Sequence, residues 1–98
     1  MGLLYGFAEG SLGELAVEIE RAFDIQFELH ESDMRGGDYD RHETGSELII
    51  LQCNRDNGDI AEEDSATMPF LLIIEGDARS TEAVGRCLGR KAVLLRGR

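Results

Sequence analysis

The sequence predicts an α+β fold with a mostly antiparallel sheet of four to six strands and two helices packed on one of its faces. Two segments, one near each end of the chain, have apolar residues at helical spacing. Several shorter segments are continuously apolar or alternate between apolar and polar residues, as strands do. Four of them follow one another without an intervening helix, an order typical of antiparallel pairing. A chain of 98 residues is expected to form a single domain, residues 1–98.

The first helix is predicted over Leu12–Phe23. Ser11 and Glu14 have the spacing of a capping box, in which the hydroxyl and the carboxylate bind free amides at the start of the helix. Apolar residues then recur every three or four positions and form one stripe that can pack on a sheet. A second helix is predicted over residues 80–89, capped by its first residue and ended by its glycine. Its predicted inner face consists of Ala83, Val84, Cys87 and Leu88.

Six segments have the pattern of strands. Residues 48–51 and 70–74 are uninterrupted apolar runs and are predicted to be buried, the first of them at the centre of the sheet. Residues 25–29 are apolar at every second position, which predicts a strand with one buried face. Residues 39–43 alternate less clearly and are predicted to form an edge strand fringed by charge. Short first and last strands are predicted at residues 3–7 and 92–95, which makes the order β-α-β-β-β-β-α-β.

The negative charge is concentrated in the middle of the chain. Residues 28–64 contain twelve acidic and three basic residues, a formal charge of −9 out of −10 for the whole chain. The last twenty residues sum to +5, so head-to-tail self-association is open to the chain, and a monomer or weak homodimer is expected. A concentrated negative field attracts basic partners and repels nucleic acid and anionic membranes. The charge therefore favours a binding protein for a basic macromolecule, with no direct contact to nucleic acid or membrane.

The expected location is the cytoplasm. Residues 1–7 have no basic region and are soon followed by Glu9, unlike a signal peptide. No apolar run approaches the roughly 18–20 residues needed to cross a bilayer. Cys53 and Cys87 each lie in an apolar segment and lack the spacing of metal ligands. They are expected to be two reduced, buried thiols, with a single disulfide as the alternative.

The sequence predicts no enzyme activity and no cofactor. It contains no nucleophile motif and no glycine-rich phosphate loop. A small metal-dependent enzyme is one alternative, because two histidines and nearby carboxylates are enough to ligate zinc. His30 and His42 could approach each other if residues 25–31 and 39–43 pair as a hairpin. Their spacing matches no metal motif, which favours structural or surface histidines.

Two groups of residues are predicted to bind the partner. The turn patch surrounds the glycines at positions 36 and 37, and the loop patch lies on a long polar loop predicted over residues 55–69. The turn patch consists of Glu31, Asp33, Asp38, Tyr39, Asp40 and Glu43. The loop patch consists of Asp56, Asp59, Glu62, Glu63 and Asp64. A tyrosine between two aspartates suits an interface with arginine or lysine, although an ordinary half-buried edge tyrosine has the same pattern.

Residues 27–41, Phe-Glu-Leu-His-Glu-Ser-Asp-Met-Arg-Gly-Gly-Asp-Tyr-Asp-Arg, resemble a segment found among immunity proteins of bacterial polymorphic toxin systems, contact-dependent growth inhibition in particular. The similar pattern is a strand ending in His-Glu-Ser, then Gly-Gly-x-Tyr, after an amphipathic helix, and it covers roughly residues 5–53. The resemblance implies a small cytoplasmic protein that binds and blocks one cognate toxin domain. Such toxins are often nucleases with basic active-site grooves, where carboxylates can take the place of phosphates.

Charge and resemblance together lead to one hypothesis. The chain is expected to be an immunity protein that neutralises a basic toxin domain, with a nuclease acting on transfer RNA or DNA as the expected target. An acidic DNA mimic or adaptor, which binds some other nucleic-acid-binding protein, is the alternative. Both predict binding that weakens as salt is added, so the identity of the partner separates them.

Overall fold

A computed structural model describes residues 2–32, 37–53, 68–76, 81–89 and 92–96 of the chain. These residues form strands and helices in the predicted order β-α-β-β-β-β-α-β. The elements are β1 (Gly2–Phe7), α1 (Leu12–Phe23), β2 (Glu28–Ser32), β3 (Gly37–Glu43), β4 (Glu47–Cys53), β5 (Phe70–Gly76), α2 (Thr81–Leu88) and β6 (Val93–Arg96). The predicted bounds of α1 are confirmed, because a helix whose cap and apolar stripe agree is specified locally.

The six strands form one antiparallel sheet in the order β2-β3-β4-β5-β1-β6, which confirms the predicted α+β class. Strands β2 to β5 are neighbours in sequence and in space, whereas β1 is inserted between β5 and β6. The prediction of an edge strand at residues 39–43 is wrong, because β3 pairs with β2 on one side and β4 on the other. The edges among the described strands are β2 and β6.

The helices pack on one face of the sheet, called the helix side below. Alternate residues of β1, β4 and β5 point to this face, because successive side chains of a strand point in opposite directions. Together with the inner faces of the helices they form the buried core. The core consists of Leu3, Tyr5, Phe7, Leu15, Ala16, Ile19, Phe23, Ile49, Leu51, Leu72, Ile74 and Val84.

The opposite face of the sheet is also buried at its centre. Leu4, Ile50 and Leu71 lie there and are almost inaccessible to solvent. Strands buried on both faces are apolar at every position rather than at every second one. This explains why β4 and β5 appear in the sequence as uninterrupted apolar runs.

Both ends of α1 are capped. The Ser11 hydroxyl accepts a hydrogen bond from the Glu14 backbone N–H (3.2 Å), as predicted for a capping box. The Glu14 carboxylate, however, accepts from the Ser11 hydroxyl (3.2 Å) instead of binding a free amide. Asp24 ends the helix with a left-handed φ of 55°, and its N–H donates to the Glu20 carbonyl oxygen.

Three predictions of burial are wrong. Leu29 is 69% exposed, while Ile25 and Phe27 lie before β2 and pack against the core. Cys87 is exposed and Cys53 is half-buried, although both are free thiols as expected. The periodicity of a short segment shows which residues share a face, but whether another element covers that face depends on the fold.

No helix among the described residues is both long enough and apolar enough to cross a membrane. The loop predicted over residues 55–69, apart from its last two positions, lies outside the described part of the chain, as does the predicted cap Ser80. The glycine predicted to end the second helix, Gly89, follows α2 directly and has a left-handed φ of 64°.

Candidate acidic binding surface

Five of the predicted binding residues lie in the part of the chain that the structure describes. Glu31 is on β2, and Asp38, Tyr39, Asp40 and Glu43 are on β3. Asp33 and the whole loop patch, Asp56, Asp59, Glu62, Glu63 and Asp64, lie outside the described residues, so the loop patch stays a prediction. The five described residues are Glu31, Asp38, Tyr39, Asp40 and Glu43.

The register of β3 divides the turn patch between the two faces of the sheet. Asp40 is paired with Leu51, a core residue, and therefore lies on the helix side. Asp38 is two residues away on the same face, and its partner across the β2–β3 pair is Glu31. Tyr39 and Glu43 occupy odd positions of β3 and lie on the opposite face. The turn patch is therefore divided: Glu31, Asp38 and Asp40 lie on the helix side, and Tyr39 and Glu43 lie on the opposite face.

The helix side is open to solvent over β2 and the adjoining part of β3. Leu29, the partner of Asp40 on β2, is 69% exposed, which shows that α1 does not cover this end of the sheet. Glu31 and Asp38 are exposed, and Asp40 is half-buried. The surface has an exposed leucine next to carboxylates, because Asp40 lies opposite Leu29 on β3 and Glu31 is two residues further along β2. We call these residues, together with Glu20 of α1, the acidic surface: Glu20, Leu29, Glu31, Asp38 and Asp40.

Glu20 joins the acidic surface from α1. Its carboxylate accepts a hydrogen bond from the Phe27 backbone N–H (2.8 Å), which ties the end of the helix to the segment before β2. Its charge is close enough to influence Asp40. The sequence carried no signal for this neighbour, because residues 20 and 40 approach only when α1 packs on the sheet.

Like charges accumulate on the acidic surface. Burial raises the pKa of the Asp40 carboxyl above its ordinary value, and the negative charges of Glu20 and then Asp38 raise it further. Glu31 and Asp38 face each other directly across β2 and β3, an arrangement that destabilises a sheet. Among the described residues no arginine, lysine or histidine forms an ion pair with Glu31, Asp38 or Asp40. A cation that bound here would relieve this repulsion.

On the opposite face of the same hairpin, charged and aromatic side chains have partners. Arg41 and Glu43 form a salt bridge of 2.8 Å. His30 stacks on Tyr39, with ring centroids 5.4 Å apart and planes 20° from parallel, and its Nε2 is 3.4 Å from the Glu28 carboxylate. A shallow cleft of about 240 Å³ is lined by residues from both faces of the hairpin and from the segment before it: Gln26, Glu28, His30, Arg41, His42 and Glu43. Two predicted contact residues, Tyr39 and Glu43, thus have partners within the chain.

The strand register separates the two histidines of the metal-site hypothesis. The predicted hairpin exists, but His30 faces Tyr39 and His42 faces Ile49, so the two histidines lie on opposite faces of the sheet. The His42 ring is placed by the Gln26 carbonyl oxygen (3.3 Å from Nδ1) and the Glu47 carboxylate (3.7 Å from Nε2). In the described ranges no group of three or more histidine, cysteine, aspartate and glutamate residues could hold a metal ion.

A larger concavity, separate from the acidic surface, lies at the start of α1. It encloses about 570 Å³ and has both apolar and acidic walls. Its lining residues are Ala8, Glu9, Gly10, Glu14, Leu15, Glu18 and Val93. It was not predicted from the sequence, because Val93 of β6 reaches this place only through the position of β6 beside β1.

In comparisons with family models, curated proteins and solved structures, the chain gives no match. The resemblance to immunity proteins, and the function it implies, therefore stay predictions that depend on the residues of this chain.

Proposed function

We propose that this chain is an immunity protein that binds a cognate basic toxin domain, a nuclease acting on transfer RNA or DNA, and neutralises it without chemistry of its own. The observation that supports this proposal is the acidic surface, which holds carboxylates from three different elements and, among the described residues, no basic partner for Glu31, Asp38 or Asp40. Arrangements that cost stability in a folded protein are expected mainly where function needs them. In the complex, arginine and lysine side chains of the toxin would offset that cost.

The spacing of the carboxylates suits several cationic side chains at once. Directly opposite residues on neighbouring strands are about 5 Å apart, and alternate residues on one strand about 7 Å apart. Glu31, Asp38 and Asp40 are separated in these two directions. Basic groups that hold nucleic acid in a nuclease groove can therefore reach two or three carboxylates together, and Leu29 supplies an apolar contact beside them.

The proposal includes a cytoplasmic location, where such a nuclease meets its substrate, and a one-to-one complex. Because the attraction is electrostatic, salt is expected to slow association more than it speeds dissociation. Exposed carboxylates such as Glu31 should act mainly on the association rate. Loss of a carboxylate that becomes desolvated against an arginine should cost about 2–5 kcal/mol of binding free energy.

The experiment is a capture from source-cell lysate at low salt, followed by an activity assay. The tagged chain is used as bait beside a variant with Glu31→Gln, Asp38→Asn and Asp40→Asn, and beside a control with Glu9→Gln. Each basic domain that the bait captures is then purified and its nuclease activity measured with and without one equivalent of the chain.

The expected result is one basic nuclease domain that the wild type and the Glu9 control inhibit and the triple variant does not. If the captured proteins are nucleic-acid-binding proteins whose activity the chain leaves unchanged, the immunity function is wrong and the DNA mimic or adaptor takes its place. Equal inhibition by the triple variant would show that the acidic surface is not the site.

A further inference from the structure

Strand β2 forms an edge of the sheet whose protection comes from its own negative charges. Among the described strands only β3 pairs with it, so the outward backbone groups of Glu28–Ser32 have no sheet partner there. Proteins normally protect such an edge with charged side chains, proline or a bulge. The sequence of β2, Glu-Leu-His-Glu-Ser, contains two glutamates but no proline, and its five pairs with β3 are in continuous register. The two negative charges oppose an acidic strand at this edge and favour a basic one.

The edge at β6 is different. This strand has only four residues, and its register with β1 shifts between Leu4 and Tyr5. Short length and irregular register are two of the features that prevent a strand from accepting another one. Of these two edges, β2 is therefore the one that can pair with a further strand.

We propose that β2 is the docking strand of this chain and that a basic, extended segment of its partner adds to it in antiparallel orientation. That the partner is basic rests on the proposed function. The new inference is that the basic residues lie on an extended segment, which pairs with β2 as a strand. Backbone hydrogen bonds to Glu28–Ser32 supply the affinity of such a ladder, and the side chains of β2 supply its selectivity.

The side chains of β2 define the sequence that fits. Glu31 and Glu28, on opposite faces of the sheet, each favour a lysine or arginine in the position across from them. Leu29, which is 69% exposed, favours an apolar residue. An aromatic residue across from His30 would extend the stack of His30 on Tyr39. In antiparallel orientation the segment is thus basic, aromatic, apolar, basic.

The probe is the peptide acetyl-Thr-Lys-Tyr-Val-Lys-Thr-amide, added at low salt to the isotopically labelled chain and followed by the amide signals in NMR. Its matched control carries N-methyl groups on the tyrosine and the valine. Methylation of two adjacent residues removes donors from both edges of the peptide and leaves its charge unchanged. Two protein variants each remove one negative charge, Glu31→Gln in β2 and Glu9→Gln at the other end of the sheet.

With the unmodified peptide we expect saturable chemical-shift changes of the amide signals, concentrated in β2 and β3. The dissociation constant of the methylated peptide should be at least about tenfold higher. Glu31→Gln should weaken binding several-fold while Glu9→Gln has no effect. Equal binding of both peptides would overturn strand addition, and so would no binding at millimolar concentration or shifts confined to the concavity near Glu9. Nuclease inhibition is measured separately, so strand addition can fail while the immunity function stands, and the reverse.

Discussion

The centre of the sheet is apolar and buried, whereas its β2–β3 end is charged and partly exposed. At the centre, β1, β4 and β5 are buried on both faces and contribute most of the core. At the end, the helix side carries an exposed leucine beside carboxylates, and the other side carries the Arg41–Glu43 salt bridge and a contact between His30 and Glu28. The sheet therefore contributes to the core mainly through β1, β4 and β5. The β2–β3 end can hold repelling charges because it contributes little to the core.

The same substitution, leucine to alanine, should have very different effects at the centre of the sheet and at its β2–β3 end. Leu51→Ala removes a side chain that is fully buried and should lower the free energy of unfolding by about 2–5 kcal/mol. Leu29→Ala removes one that is 69% exposed and should change it by no more than about 0.5 kcal/mol. Urea denaturation followed by circular dichroism measures both. If both variants lost a similar amount of free energy of unfolding, the β2–β3 end would contribute as much to stability as the centre does.

The centre is sensitive to backbone geometry as well as to packing. Gly76 has a φ of 116°, and a Cβ atom at this position would collide with the Ser46 carbonyl oxygen. Gly76→Ala should therefore cost about 2–3 kcal/mol. Gly13→Ala is the matched control, since a Cβ there meets nothing within 4 Å and alanine favours the helix. The control should stabilise the chain by about 0.5–1 kcal/mol, and a loss in both variants would contradict the role of backbone conformation.

The core contains one polar atom that should weaken it. The Tyr5 hydroxyl is buried without a hydrogen-bond partner among the described residues, and burial raises the pKa of this group. Tyr5→Phe removes the atom and keeps the ring, so it should raise the free energy of unfolding by about 1 kcal/mol. Thermal and urea unfolding test this. A clear loss of stability would show that the hydroxyl has a partner, an ordered water for example.

The smallest expected effect concerns the acidic surface. Because burial, Glu20 and Asp38 raise the pKa of Asp40 in the folded chain, the charged form of Asp40 destabilises the fold. This penalty is absent below the ordinary pKa of aspartate and complete once the pH has risen past the raised pKa of Asp40. Asp40→Asn should therefore stabilise the chain at neutral pH by about 0.2–1 kcal/mol, the size of a cross-strand pair.

The pH dependence separates this prediction from a simple reduction in net charge. The gain from Asp40→Asn should disappear as the pH falls below the ordinary range of aspartate, where both proteins have a neutral side chain. Glu9→Gln removes the same amount of charge from an exposed position and should show no comparable gain. A destabilised Asp40→Asn protein at neutral pH would mean that the carboxylate is held by a favourable contact.

The candidate site was only partly accessible to sequence reasoning. The concentration of acidic residues between positions 28 and 64 predicted the sign of the surface. It did not predict that Tyr39 and Glu43 would be separated from Asp38 and Asp40, because a strand of uncertain register can place its residues on either face. It also missed Glu20, whose contribution depends on how α1 lies against the sheet.

The order of the elements, the bounds of α1 and the two apolar strands at the centre could be predicted from local sequence, because periodicity, caps and apolar runs are properties of neighbouring residues. The fold was needed to show that β2 is an edge, that β3 is not, and that Leu29 is exposed. It was also needed to show which carboxylates share a face. These features depend on pairing between segments far apart in the chain, and many pairings satisfy the same local pattern.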